Sequence, residues 1–428
     1  DRDMERAESL LNGAVACFRT VRTLLDALDD AGVSAAYRAD ALEAEASVQV
    51  ELGGLYLRAG RVSEAQEARD WARAAFDAVG SRPSEAGVWA LTAHIATRQG
   101  DLDEAAMAWR QVLGIHEKAG DLRGQAGALL SLAEVARLSD QLETAEDQQK
   151  RALSLARQIG DRGVEARTLA GLGLIARHRG ETEAAVMAYE AAQKTARGLG
   201  DVELQGFCEL NLGELRSRSR SGQPVAHFRR AVELLGTVGA EHAIGATLLH
   251  ASEHALRTGN DDLAIPLAEG ARRIWRSLDP VRGVGQAYRV LVKALGSTAS
   301  DEALLLLAVV REDIVGDAQP HAEAVADYYR FRVEADDLVR VEAMEPEERR
   351  QTAEEYLLAK LEERLEGTGL NLSDLGTVRG ALVLLDMLAQ APDERELTRL
   401  EEDDLEALPP EDDFYVLTEA DLVPGDGT

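Results

Sequence analysis

The stretch LAGLGLIARHRGETEAAVMAYEAA, residues 169–192, carries the reading of the fold. Leu169, Leu172, Ile175 and Ala176 recur at three- and four-residue steps, which is the spacing of one face of an α-helix. Gly180 then interrupts the pattern, and glycine after a helix takes the left-handed conformation at little steric cost. A second series follows at Ala185, Tyr189 and Ala192, again four and three residues apart. The segment reads as helix, tight turn, helix.

The same pattern recurs on both sides of it. A small residue ends a short motif at Gly53, Ala93, Ala133, Gly173, Gly213 and Ser252, forty residues apart four times and then thirty-nine. A second column runs Ala65, Ala105, Ala145, Ala185 and, two units on, Ala264. A third runs Ala72, Val112, Ala152, Ala192, Ala231 and Ala271. One residue is lost in the fifth unit, around Pro224 and Val225. Glycines keep the rhythm: Gly60, Gly100, Gly180 and Gly259 inside units, and Gly80, Gly120, Gly160, Gly200 and Gly239 between them. Asp101, Asp121, Asp161 and Asp201 follow four of these glycines, placed to cap the N–H groups that open the next helix. Self-similarity at a fixed period is the mark of a stacked repeat array.

Leu172-Gly173, Gly180, Ala185, Tyr189 and Ala192 together resemble the tetratricopeptide repeat (TPR) pattern. That resemblance implies an all-α fold, a right-handed superhelical TPR solenoid of paired antiparallel helices. Small side chains stand where backbones cross closely. Trp109 and Phe228 take the aromatic position in units two and five, whereas Arg69, Gln149 and Ala268 depart from it in units one, three and six. The forty-residue form is similar to the partner-binding regions of bacterial signalling proteins, such as STAND-type regulatory ATPases, transcription regulators and serine/threonine kinases. The resemblance implies a protein- or peptide-binding scaffold, the sensing or docking arm of a larger regulatory protein, and not an enzyme.

The expected organisation is a capping or linker helix in residues 1–40, six repeats in 41–280, a degenerate seventh in 281–317, capping helices in 318–390 and an acidic tail in 391–428. One long amphipathic helix is expected over 1–31, with Leu10, Leu11, Val15, Phe18, Val21, Leu24, Leu25 and Leu28 on one side. Further helices are expected near 320–338, 346–366 and 375–390, with Pro320 and Pro346 near helix starts. The tail holds fourteen acidic residues against Arg395 and Arg399, which reads as largely disordered. Within it Phe414, Tyr415, Val416 and Leu417 form an apolar island, a candidate docking strip.

A formal charge of −30 repels phosphate backbones and anionic lipid heads, which sets nucleic acid and membrane aside as partners. Hydrophobic residues make up 45% of the chain but aromatics only 4%, a balance that favours close-packed helices over sheets. The longest apolar run, Ala303 to Val310, is too short to span a bilayer, and no basic segment leads into a hydrophobic signal stretch. A cytoplasmic location is expected. The chain starts at Asp1 rather than Met, which fits a piece of a longer protein or a processed one. Cys17 and Cys208 are far apart and read as small buried hydrophobes. His250 and His254 have the i,i+4 spacing of metal ligands but lack a third ligand and a glutamate in the required context, so no metal or cofactor is expected. Gly171 and Gly173 lie mid-helix and read as close-contact positions rather than a phosphate loop.

The resemblance places the first helix of each unit on the concave face. Near its end one position repeats as Arg58, Arg98, Leu138, His178, Arg218 and Arg257, with Arg137 and Arg177 at the position before. These form a candidate basic groove for an acidic peptide, since the arginine fork holds a carboxylate through two hydrogen bonds. Cations at helix C-termini also answer the helix dipole without any ligand. A neighbouring inward position reads Gly54, His94, Glu134, Leu174, Glu214 and Glu253. Glutamates there argue against the carboxylate clamp of some TPR proteins, and they stand ready to neutralise the arginines. Two partner readings follow: a separate protein or peptide, or the chain's own acidic tail lying in the groove. Exposed end units also allow a dimer.

Overall fold

A computed structural model describes residues 2–26, 33–80, 85–219, 222–278, 287, 290, 291, 294 and 344–391. Every regular element among them is helical. In chain order these are α1 (Arg2–Asp26), α2 (Val33–Arg58), α3 (Val62–Val79), α4 (Glu85–Gln99), α5 (Leu102–Ala119), α6 (Leu122–Leu138) and α7 (Leu142–Ile159). They continue with α8 (Arg162–His178), α9 (Thr182–Leu199), α10 (Val202–Arg218), α11 (Pro224–Val238), α12 (Glu241–Arg257) and α13 (Asp261–Leu278). After the undescribed stretch come α14 (Pro346–Leu365), a 3₁₀ turn (Leu372–Asp374) and α15 (Val378–Gln390).

The turns follow from local chemistry. Gly60, Gly80, Gly100, Gly120, Gly160, Gly180, Gly200, Gly239 and Gly259 all take positive φ, between 68° and 80°. The third unit has Asp140 where its siblings have glycine, and Asp140 adopts φ 56°, the only positive φ at a non-glycine among the described residues. Asp101, Asp121, Asp161 and Asp201 each accept a backbone N–H from the first turn of the following helix, at 2.9–3.1 Å. Asn371, formally part of a glycosylation sequon, caps the 3₁₀ turn instead, its side chain accepting from the Ser373 N–H while Asp374 accepts from the Asn371 N–H.

The repeat columns are the core. Ala65, Ala105, Ala145, Ala185 and Ala264 are fully buried, as are Ala72, Ala152, Ala192, Ala231 and Ala271. A side chain on Gly173 would come within 2.9 Å of the Tyr189 ring, and one on Gly213 within 2.7 Å of Phe228. A larger residue than glycine would thus press on the aromatic of the second helix at these two crossings, whereas the Trp109 unit carries Ala93 at the same position. Where Gln149 replaces that aromatic it is also buried, and Gly171 makes room for it: a Cβ there would stand 2.2 Å from the Gln149 amide.

The chain divides into two compact units, one up to Thr195 and one from Ala196. In the first, α2 packs with α3, α4 with α5 and α6 with α7, and each pair packs on the next through its second helix. The N-terminal helix is described over Arg2–Asp26, and the rest of the expected 1–31 helix lies outside the described residues. Its Val15 is buried, but Leu10, Val21 and Leu24 are exposed, so its apolar face is covered only in part. It is tied to α2 by Glu45, a fully buried carboxylate bonded to Arg19 at 2.9 Å and Arg22 at 2.6 Å.

In the second unit α10 pairs with α11 and α12 with α13. Its core joins Phe228, Leu235, Leu248 and Ile265 to Leu357 and Leu361 of α14 and Leu384 and Leu385 of α15. Ala287, Val290, Leu291 and Ala294 belong to the same core. Helix α15 lies on α11, α12 and α13. The expected helices near 346–366 and 375–390 correspond to α14 and α15, whereas the one near 320–338, most of the degenerate seventh unit and the tail with Phe414, Tyr415, Val416 and Leu417 fall outside the described residues.

Candidate functional site

The row of cations at first-helix ends divides into exposed and engaged members. In the first unit Arg58 ends α2 and is exposed. Arg98, in the last turn of α4, is exposed too. Neither makes an ion pair among the described residues. His178 closes α8 and is exposed, with Arg177 half-buried beside it. Arg137 behaves differently: it is buried and holds both oxygens of Glu134, one turn back, at 2.9 and 3.0 Å.

The second unit repeats this mixture. Arg218 is exposed at its tip but pairs at 3.0 Å with Glu214, whose carboxylate is buried. Arg257 is half-buried and donates to the Ser217 hydroxyl at 2.8 Å. Ser217 also lies 2.9 Å from His254 Nδ1, so α10 and α12 are joined by a serine that serves two partners. His254 leans on the Phe228 ring, centroids 6.4 Å apart. His250 stands 3.8 Å from Glu214 and 3.6 Å from Glu253. The i,i+4 histidines therefore face protein groups already. Among the described residues, no cluster of three or more His, Cys, Asp or Glu is placed to hold a metal.

Three of the six residues at the position beside the row are glutamates, and two of them pair with its cations: Glu134 with Arg137, Glu214 with Arg218. His94, at the same position in α4, sits edge-on to Trp109 with ring centroids 5.0 Å apart. Loss of solvent around its ring, and then the charge of Arg98, push its pKa down to about 4. His94 is thus neutral at physiological pH and adds no charge to the row.

Several engaged residues had no marker in the sequence. Ser217 and Glu209 look like ordinary helix residues, yet Glu209 is buried and bonded to His227 at 2.7 Å, with Arg230 at 3.5 Å. Glu269, fully buried, collects Arg272 and Arg273. The only available signal was a charged residue on an otherwise apolar helical face, and the repeat columns drew attention elsewhere. One reading is corrected: Cys17 is exposed, because it lies on the uncovered side of α1, while Cys208 is buried as expected and burial pushes its thiol pKa up.

Comparison with known proteins agrees with the repeat. Residues 124–198 match the tetratricopeptide repeat family model. With the paired helices above, the fold is all-α, and residues 124–198 are a stack of tetratricopeptide-type helix pairs. No curated protein matches the chain. Among solved structures it is similar to BtubC (BKLC) from P. vanneervenii, at 18% identity and TM-score 0.43, covering 56% of this chain and 93% of that one. It is also similar to the apo form of RapI, at 12% identity and TM-score 0.43, covering 74% and 99% respectively. A Rap protein complexed with Competence and Sporulation Factor aligns at 12% identity and TM-score 0.42, over 91% of this chain and 99% of that one. Among the described residues no helix is long and apolar enough to cross a membrane.

Proposed function

We propose that this chain is a protein- or peptide-binding scaffold, the docking or sensing arm of a larger bacterial regulatory protein, and that it takes acidic peptide segments. Stacked helix pairs present side chains at a fixed repeat, which suits recognition of an extended partner. The observation that carries the acidic preference is the exposure of Arg58 and Arg98, unpaired among the described residues, on a chain whose net charge is −30. His178 extends the set within the first unit, where Arg137 and Arg177 are more enclosed; in the second unit the tip of Arg218 is exposed and Arg257 is half-buried. Arg58 and Arg98 each answer the dipole of the helix they end, and each solvent-facing fork can also hold an incoming carboxylate through two hydrogen bonds.

The test is fluorescence anisotropy with a labelled ten-residue Glu/Ala peptide. The intact chain is expected to bind it with an affinity that falls as salt rises. The Arg58→Glu, Arg98→Glu double variant is expected to lose roughly tenfold or more, since each charge-assisted hydrogen bond contributes about 1.5–3 kcal/mol. Equal binding by both proteins would remove the acidic preference and leave only an apolar or shape-based scaffold.

A second reading uses the same cations. The acidic composition of residues 391–428 makes the chain's own tail a ligand of matching charge at high effective concentration. A chain lacking 398–428 then binds the test peptide more tightly than the intact one. Unchanged affinity would leave the tail without a masking role.

A further inference from the structure

Helix α1 has two apolar sides. One turns inward as the helix packs on α2, with Val15 buried and Leu11, Phe18 and Leu25 half-buried. The other carries Leu10, Ala14, Cys17, Val21 and Leu24, separated by four and three residues in turn. Leu10, Cys17 and Leu24 therefore stand seven apart, close to two whole helical turns. Alternating steps of four and three form the seam along which one helix meets another. This seam is open: Leu10 is 67% exposed, Leu24 63% and Val21 44%, and Cys17 is exposed between them. Among the described residues no leucine is more exposed than these two. From Leu10 to Leu24 the seam runs about 21 Å, at a rise of about 1.5 Å per residue. Single exposed hydrophobics are ordinary, but a continuous row of them marks a contact surface.

The same side carries no charge. Between residues 8 and 26 the charged residues are Glu8, Arg19, Arg22 and Asp26. Each of them pairs within the chain. Glu8 meets Arg61 at 2.8 Å, Arg19 and Arg22 meet the buried Glu45 at 2.9 and 2.6 Å, and Asp26 meets Arg38 at 2.8 Å. The residues flanking the seam, Ser9, Gly13, Ala16 and Thr20, are exposed and uncharged. On a chain of net charge −30, a second and equally acidic copy can approach here without setting like charges face to face.

The order of residues along the seam also fits a second copy. A two-fold interface must be self-complementary, each patch meeting its own image. Turned end for end about Cys17, the seam falls on itself: Leu10 takes the place of Leu24, Gly13 that of Val21, Ala14 that of Thr20, and Cys17 its own. Leucines close both ends, and the small Gly13, Ala14 and Ala16 near the centre let two backbones come close. We propose that α1 pairs antiparallel with α1 of a second copy of this chain, about a two-fold axis at Cys17, so that Leu10 of each copy covers Leu24 of the other. The seam shares no residue with the cations at the first-helix ends, so pairing and peptide binding are read independently.

Sedimentation equilibrium of the full chain between about 1 μM and 1 mM tests the pairing, a range suited to an interface built on one helix seam. A monomer–dimer equilibrium is expected within it. Leu24→Glu, at a solvent-facing position, is expected to weaken the dimer roughly hundredfold, because the symmetry buries each leucine twice and sets two carboxylates into the seam. Leu10→Glu is expected to do the same, which keeps the proposal testable if one variant lowers the melting temperature. A short bismaleimide is expected to join Cys17 of one copy to Cys17 of the other. Cys208 is buried, so Cys208→Ser keeps the cross-link and Cys17→Ser removes it. A monomer up to about 1 mM would leave the seam to a different protein and overturn the proposal. A dimer that survives both leucine variants, or one in which Cys17 does not cross-link, would overturn it as well.

Discussion

At the residue scale, Asp140 and His94 are the positions where the chain departs from its own rule. Asp140 holds the left-handed turn that glycine holds in the sibling units, and a side chain there costs up to about 1 kcal/mol even for aspartate. Asp140→Gly is therefore expected to raise stability by up to about 1 kcal/mol, read as a higher urea midpoint with an unchanged slope. His94 makes a prediction about pH. Its pKa falls from an ordinary 6.5 to about 4, so between those values the unfolded chain binds more protons than the folded one. The contribution of the neutral ring is complete above pH 6.5 and is lost as pH falls toward 4. His94→Phe keeps an edge-on partner for Trp109 and removes the titration. Its stability is expected to fall less than the wild type's between pH 6.5 and 4.5, by about 2 kcal/mol, measured by chemical denaturation at each pH. Parallel profiles would show that His94 is already hydrated.

At the element scale, stability comes from close crossings and from caps. Gly173 touches the Tyr189 ring, so Gly173→Val forces the second helix outward and is expected to cost about 1–3 kcal/mol by thermal denaturation. Asp161 caps α8 through the Val164 N–H, and Asp161→Ala is expected to cost about 1 kcal/mol. In the second unit Leu385 of α15 is fully buried against the repeat helices, and Leu385→Ala is expected to cost about 2–5 kcal/mol. The larger loss at Leu385 than at Asp161 follows because a cavity forfeits both burial and packing, whereas a lost cap can be replaced by water.

At the scale of the whole molecule, charge is the property to test. A chain of net −30 repels itself, and its ion pairs, such as Arg179 with Glu146 and Arg61 with Glu8 and Glu64, offset only part of that. Screening weakens the long-range repulsion more than the contacts at 2.5–3 Å. The melting temperature is therefore expected to rise by a few degrees between about 10 mM and 300 mM salt. A fall would mean that the local pairs outweigh the surplus charge.

The helices and turns were legible in the sequence because their causes are local. A glycine or Asp140 at a turn, an aspartate one residue on, and small residues every forty positions act within a few residues of themselves or on the next helix. Even the close approach at Gly173 was readable, since its aromatic partner recurs at nearly the same distance along the chain in the units that keep it. What the sequence could not settle was which arginines of the row stay exposed. Arg98 and Arg137 look alike as residues near a helix end, but Arg137 turns back onto Glu134 and is buried, whereas Arg98 has glutamine and glycine beyond it and faces solvent. Nor could it reveal the pairing of Arg276 with Glu354, because α14 begins seventy residues after Arg276 and only tertiary packing brings the two within 3.3 Å. Local backbone chemistry determined the elements; long-range packing, which sets burial and counter-ions together, decided which of the charged side chains are available to a partner.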